Sequence, residues 1–297
     1  MNLDAQNIIQ PDFTLEYIFE QLTKLPTFPK VVQRALELLE NPNTTTKDLV
    51  EVLKFDPAIT TNILKLANST VFGLQKQVTS LETALALLGQ NQIKEILVAS
   101  GSLPFMSREL YGYAMRPEDL WHHSIATGIC AERLCERLGF DDPALLFTAS
   151  ILHDVGKIVL NLFVGAKLDV IMDIASRDGY TFTEAEWMTL GADHAIIGSE
   201  IMRLWDFPLD IYRAVRNHHD PDLYVQDEVS AILALSNILV VTLGVGVGTD
   251  GFRHRVSAKL LDILKLEKED IYEVTADTYK AFQEAQEILA LYKSDDV

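Results

Sequence analysis

Two cysteines in 297 residues leave this chain without a disulfide framework. Cys130 and Cys135 stand five apart with no other cysteine, a spacing that makes neither a CxxC redox pair nor a zinc knuckle. They fit a reducing cytoplasm and read as two small core residues. Basic residues are also scarce: 25 Lys and Arg stand against 43 Asp and Glu, a formal net charge of −18. That balance repels phosphate backbones and anionic headgroups, so neither nucleic-acid binding nor attachment to an acidic membrane surface is expected. Helix-turn-helix DNA binding is disfavoured for the same reason, although one small basic pocket remains compatible with the net charge. The opening "MNLDAQNIIQPDFTLEY" offers neither the basic nor the apolar region of a signal peptide. The longest apolar stretches read as too short, or too interrupted, to span a bilayer. Strand-like alternation is nearly absent, and no internal repeat or low-complexity tract is visible.

What is present is hydrophobicity at helical spacing. A chain that is 48% hydrophobic and 23% charged can bury one large core or two modest ones. "PKVVQRALELLENPN" places Val31, Ala35, Leu38 and Leu39 on one face and ends at an Asn-Pro breaker. Thr46 is the expected cap of a short helix running to Lys54. In "DPAITTNILKLANS", Asp56 is the expected N-cap with Pro57 at the first helical position. "TSLETALALLG" suggests a capping box of Thr79 and Glu82 with a stop at Gly89, and a further helix runs from about Asn91 to near Pro104. The turn-rich "FMSRELYGYAMRPED" places a domain boundary near residue 110, giving an N-terminal helical bundle (1–110) and a second helical domain (111–297). Helices are expected over about 117–138, 142–164, 168–177, 183–188, 192–205, 208–217 and 227–243, followed by two amphipathic helices broken near Lys268. The fold class is all-α.

The stretch "GVGVGTDG" (244–251) has the glycine density of a dinucleotide-binding loop. That motif needs a strand before it and a helix opening after it. A helix precedes it here and "FRHRVS" follows, so it reads as a flexible helix-to-helix loop.

Histidines carry the chemistry. His122, His123, His153, His194, His218 and His219 sit on, or at the ends of, successive predicted helices, and Asp154 directly follows His153. Helical bundles build metal sites by pointing such side chains inward from facing helices. At about 100° per residue, His123 shares a stripe with Leu120, Thr127, Cys130, Leu134 and Leu138, while His122 falls a quarter-turn away toward the surface. "SILHDVGKIVL" lies in a run that is apolar from Leu145 through Phe163, which predicts a buried helix. An unpaired carboxylate there would cost several kcal/mol, roughly, and a divalent cation removes that penalty. A hydrogen-bonded His153–Asp154 pair, or Lys157 neutralising Asp154, would do so without metal. His218 and His219 also suit the negative end of a helix dipole.

Taken together, "LPTFPKVVQRALELL", "DPAITTNILKLANSTVFG", "VTSLETALALLG", "LWHHSIATGICAERL", "ASILHDVGKIVL", "HAIIGSEIMRLWDFP" and "AVRNHHDP" resemble the HDOD domain, the signalling branch of the HD superfamily of metal-dependent phosphohydrolases. The likeness spans roughly residues 20–245. It implies an N-terminal bundle packed on an HD-like bundle. It also implies His123, His153, Asp154, His194, His218 and His219 as metal ligands for one or two ions of Fe, Mn or Mg, with Lys157 near a substrate phosphate. Where active HD enzymes resemble one another in having an aspartate, this chain has Asn237, a neutral and weaker ligand. The extra GYP loop of the phosphodiesterase branch is missing.

Two functions are compatible with this reading. One is a bacterial regulatory module whose pocket holds a metal without turnover and recognises a signalling protein or a small phosphate-containing ligand. The other is a phosphohydrolase acting on a nucleotide or cyclic dinucleotide, with metal-activated hydroxide as nucleophile and Asp154 and Lys157 as catalytic residues. The many ligand types favour the enzyme, whereas Asn237 and the large N-terminal bundle favour the regulator.

Overall fold

A computed structural model of the protein describes residues 14–69, 77–177, 179–251, 256–257 and 259–291. Every regular element among the described residues is helical, apart from one isolated bridge between Leu110 and Met115. The first six helices are α1 (Leu15–Leu22), α2 (Lys30–Glu40), α3 (Thr46–Leu53), α4 (Pro57–Ala67), α5 (Leu81–Leu88) and α6 (Gln90–Met106). Then come α7 (Asp119–Leu138), α8 (Pro143–Leu152), α9 (Gly156–Ala166), α10 (Leu168–Ser176), α11 (Phe182–Leu190) and α12 (His194–Leu204). The last helices among the described residues are α13 (Leu209–Asn217), α14 (Pro221–Tyr224), α15 (Glu228–Leu243), α16 (Leu260–Leu264) and α17 (Lys268–Leu291).

Local capping chemistry explains most of these boundaries. Asp56 caps α4 through the Ile59 amide with Pro57 behind it, and Gly89 ends α5 at φ 78°, both as expected. Two caps fall one residue from their expected places. Thr45 rather than Thr46 caps α3, because Asp48 reaches back to the Thr45 amide and completes a capping box. Ser80 rather than Thr79 caps α5, accepting from the Thr83 amide, so no Thr79–Glu82 box forms. Residues 70–73, the end of the "DPAITTNILKLANSTVFG" segment, lie outside the described residues, as do 252–255 of the "FRHRVS" segment.

The two halves share a continuous apolar core. Phe28 contacts Trp205 and Phe207 at ring-centroid distances of 5.4 and 5.3 Å, and Phe105 contacts Trp205 at 5.3 Å. Gln33 donates to the Trp205 carbonyl at 2.9 Å. Thus the C-terminal end of α12 is seated in the N-terminal bundle, while α6 packs along α8.

The expected helix over 142–164 is instead two helices, α8 and α9, parted at residues 153–155. His153 Nδ1 lies 2.7 Å from the Ser150 carbonyl, and Val155 and Lys157 amides bond back three residues rather than four. This tightened turn directs both His153 and Asp154 into the interior, where they are 0% and 1% exposed. By length and composition Pro143–Ala166 could cross a membrane, against the expectation that no stretch could, but 78% of its most apolar window is buried inside the protein. His122 also departs from its expected surface position. It is half-buried, with its ring against Trp121 and Phe282.

Candidate metal centre

Asp154 is the hub of the buried polar cluster. Its Oδ2 lies 3.2 Å from His153 Nε2 and 3.7 Å from His123 Nε2. Its Oδ1 lies 3.3 Å from His194 Nε2 and 3.7 Å from His218 Nε2. These residues come from the α8–α9 turn, α7, the start of α12 and the end of α13. His219 completes the Oδ1 side, its Nε2 2.9 Å from that of His194. Two ligand sets therefore meet at one carboxylate: Asp154 with His194, His218 and His219, and Asp154 with His123 and His153.

The outer nitrogens fix these rings. Nδ1 of His123, His153 and His218 faces the carbonyls of Val245, Ser150 and Val215 at 3.1, 2.7 and 2.7 Å. Each carbonyl takes an Nδ1 proton, which leaves the Nε2 lone pair pointing at Asp154. Burial lowers the pKa of His123 to about 4 and lowers those of His153 and His218, so these three rings are neutral, the form that binds metal. His194 differs. Burial opposes its charge, but Glu186, 2.7 Å from Nδ1, and the Asp154 contact outweigh burial and raise its pKa to about 10. Asp154 behaves as an ionised carboxylate: burial pushes its pKa up, yet the Lys157 ammonium beside Oδ2 helps to hold it well below the usual range.

The donor chemistry fits a divalent ion. His153 Nε2, His218 Nε2 and Asp154 Oδ1 are buried without a hydrogen-bond partner, and all three face the same centre. Asn237 Oδ1 faces His123 Nε2 at 3.0 Å, and His219 Nε2 faces His194 Nε2 at 2.9 Å. The first is a contact between two acceptors, which needs a cation between them, whereas protonated His194 supplies the proton of the second. Imidazole nitrogens with one carboxylate suit Fe better than Mg.

All the expected candidates gather here: His123, His153, Asp154, His194, His218, His219, Lys157 and Asn237. The helix-dipole alternative does not describe His218, whose Nε2 is turned inward. The proposed Lys157–Asp154 neutralisation is present, at 2.5 Å. Three further residues carry no obvious mark in the sequence. Glu186 on α11 is 0% exposed and orients His194; Tyr113 donates to its other oxygen. Asp250 pairs with Lys157 from the far side of Asp154. Glu186 shares a helix face with buried Phe182 and Leu190, which was the available signal. Asp250 lies in "GVGVGTDG": the segment connects two helices, as expected, but it lines a pocket with His123, Lys157 and Asn237.

The fold and this cluster define a class: helical proteins that bury a histidine–aspartate cluster able to hold a metal ion. The chain belongs to the HDOD domain family, whose pattern matches residues 25–221. It is similar in fold to an HDOD domain protein of Geobacter sulfurreducens (TM-score 0.69, 22% identity, 93% of this chain and 96% of that one). It is likewise similar to a candidate phosphohydrolase of Shewanella amazonensis (TM-score 0.68, 20% identity, 93% and 97%). A candidate signal transduction protein of Marinobacter aquaeolei matches at TM-score 0.71 and 21% identity, over 96% of this chain and 62% of that one. A Treponema pallidum protein is 22% identical over 273 residues, and the chain spans 52% of that relative's length.

Proposed function

We propose that the protein is a bacterial signalling module, cytoplasmic in location, that holds a divalent ion in an HD-type pocket without efficient hydrolysis. In this reading it recognises a small phosphate-bearing ligand or a signalling protein. The observation that carries the proposal is the pairing of His123 with Asn237 at 3.0 Å. The neutral amide stands beside a neutral ring, so the His123 side of the cradle has Asp154 as its single anionic ligand. A weakly held ion there is a poor generator of hydroxide. Lys157 is meanwhile engaged by Asp154 and Asp250 rather than free to offset transition-state charge. When bound, the ion would neutralise Asp154 and polarise an anion in the pocket; His123, His153, His194, His218 and His219 would hold it.

Hydrolysis of a nucleotide or cyclic dinucleotide is the second reading, favoured by the five histidines that surround Asp154. Metal content of the purified protein, followed by phosphodiester turnover with Mn²⁺ or Fe²⁺ supplied, separates the two. The regulatory reading expects about one ion per chain, lost in Asp154→Ala, and no turnover that depends on Asp154. Turnover abolished by Asp154→Ala would sink it. Asn237→Asp is expected to tighten metal binding roughly tenfold or more, as a charged ligand replaces a neutral one. Protein that never holds an ion, with stability unchanged by Asp154→Ala, would exclude both readings.

A further inference from the structure

The buried lysine above the cradle already has two anions. Lys157 is 3% exposed, and its Nζ lies 2.5 Å from Asp154 Oδ2 and also pairs with Asp250. Asp154 belongs to the cradle, but Asp250 arrives from the glycine-rich loop that follows α15. A lysine needs one carboxylate to be neutralised. The second makes the local charge more negative and places a carboxylate in the lining of the pocket.

The loop is seated by close backbone contacts. A Cβ on Gly246 would come within 2.1 Å of the Asp119 carbonyl oxygen, and one on Gly248 within 2.2 Å of the Tyr113 carbonyl oxygen. Only glycine permits that approach. At its start Gly244 adopts φ 74°, the left-handed conformation that favours glycine. The same loop supplies the Val245 carbonyl that fixes His123. With the loop down, the space left beside Lys157 is a cavity of about 10 Å³, room for little more than one water and far below the several hundred Å³, roughly 300 or more, of ordinary small-molecule sites.

We propose that Asp250 is a built-in anion occupying the ligand's phosphate position against Lys157, and that a phosphate-bearing ligand enters by displacing it and lifting residues 244–251. The proposal rests on the phosphate-ligand reading above and adds its regulation. Carboxylate and phosphate compete for one ammonium, so apparent affinity is reduced by the fraction of molecules in which Asp250 is seated. Lifting the loop also withdraws the Val245 carbonyl from His123. Ligand entry and the geometry of the cradle are thereby coupled.

Inorganic phosphate is the probe, titrated calorimetrically into the full chain with and without Mn²⁺. Asp250→Asn keeps the side-chain shape and removes the charge. It is expected to bind phosphate about tenfold tighter than the parent, the gain for a loop seated in about nine molecules of ten. Adding Lys157→Met should abolish binding. Equal or weaker phosphate binding by Asp250→Asn overturns the proposal, as does no binding by either form. Should Asp250→Asn fail to fold, amide hydrogen exchange of the parent decides: residues 244–251 should exchange faster at saturating phosphate, and unchanged or slower exchange overturns the idea. Chains that hold an ion but gain no affinity refute the displacement and leave the metal reading standing. Chains without an ion whose affinity still rises do the reverse.

Discussion

The two halves of this molecule are held together by different means. Up to Met106 the interior is apolar, with Ser100 and Ser102 the buried polar side chains among the described residues. Beyond residue 120 the interior includes His123, His153, Asp154, Lys157, Glu186, His194, His218 and Asn237. An apolar core tolerates small changes of shape because its neighbours are side chains that can shift. A buried charged cluster tolerates little, because each group is compensated by particular partners in fixed positions. The first half supplies a rigid support; the second spends its interior on a site.

Glycines expose this contrast most sharply. A Cβ on Gly156, at the start of α9, would lie 2.0 Å from the His194 carbonyl oxygen and 2.7 Å from the Gly198 amide. Both obstacles are backbone, and both belong to the helix that carries His194. Gly156→Ala is therefore expected to prevent folding or cost more than about 4 kcal/mol, visible as insoluble protein or a collapsed melting temperature. Gly101, inside α6, would place its Cβ 3.1 Å from Phe28 and 3.2 Å from Val32, both side chains. There Gly101→Ala should change stability by no more than about 1 kcal/mol, since better helix propensity offsets the crowding. Similar melting temperatures for the two variants would erase the distinction.

The next test separates stability from the site. Leu53 on α3 is 0% exposed and far in sequence from every cradle residue. Leu53→Ala should cost about 2–5 kcal/mol through the cavity it leaves. Its ion content should match the parent's, whereas Asp154→Ala empties the cradle. Loss of the ion in Leu53→Ala would mean that the first half shapes the site directly.

How much of this was legible in the sequence follows the same division. Helices and their caps depend on neighbours within a few residues, so α4, α7, α12 and α15 lie close to where periodicity put them. The break at residues 153–155 is invisible locally, because the apolar run continues across it; the turn exists to aim His153 and Asp154 at partners on other helices. The ligand histidines were legible by residue type. Glu186 and Asp250 were not, because each acts on a residue across a tertiary contact: Glu186 on His194, and Asp250 on Lys157 93 positions away. The glycine pattern of 244–251 had a structural meaning, close approach to the Asp119 and Tyr113 carbonyls, that spacing alone could not reveal.

The smallest expected effect lies at the seam between the halves. Glu95 on α6 faces Glu132 on α7, and burial together with the Glu132 charge raises the Glu95 pKa to about 9. In the unfolded chain a glutamate titrates near about 4.3. The folded state thus holds the Glu95 proton more tightly, and the stability this confers is complete below about pH 4. It is lost as pH rises through about 9, where the two carboxylates must ionise side by side. Glu95→Gln keeps a donor for Glu132 at every pH. The parent should lose stability between pH 5 and 9, roughly the window between those two values, while the variant's curve is flatter. With both side chains partly solvated, the gap at pH 8 should be roughly 1 kcal/mol, or about 2–4 °C in melting temperature. At pH 5 the two proteins should melt together. Parallel curves would show that the seam carries no shared proton, and that buried charge is managed in the second half alone.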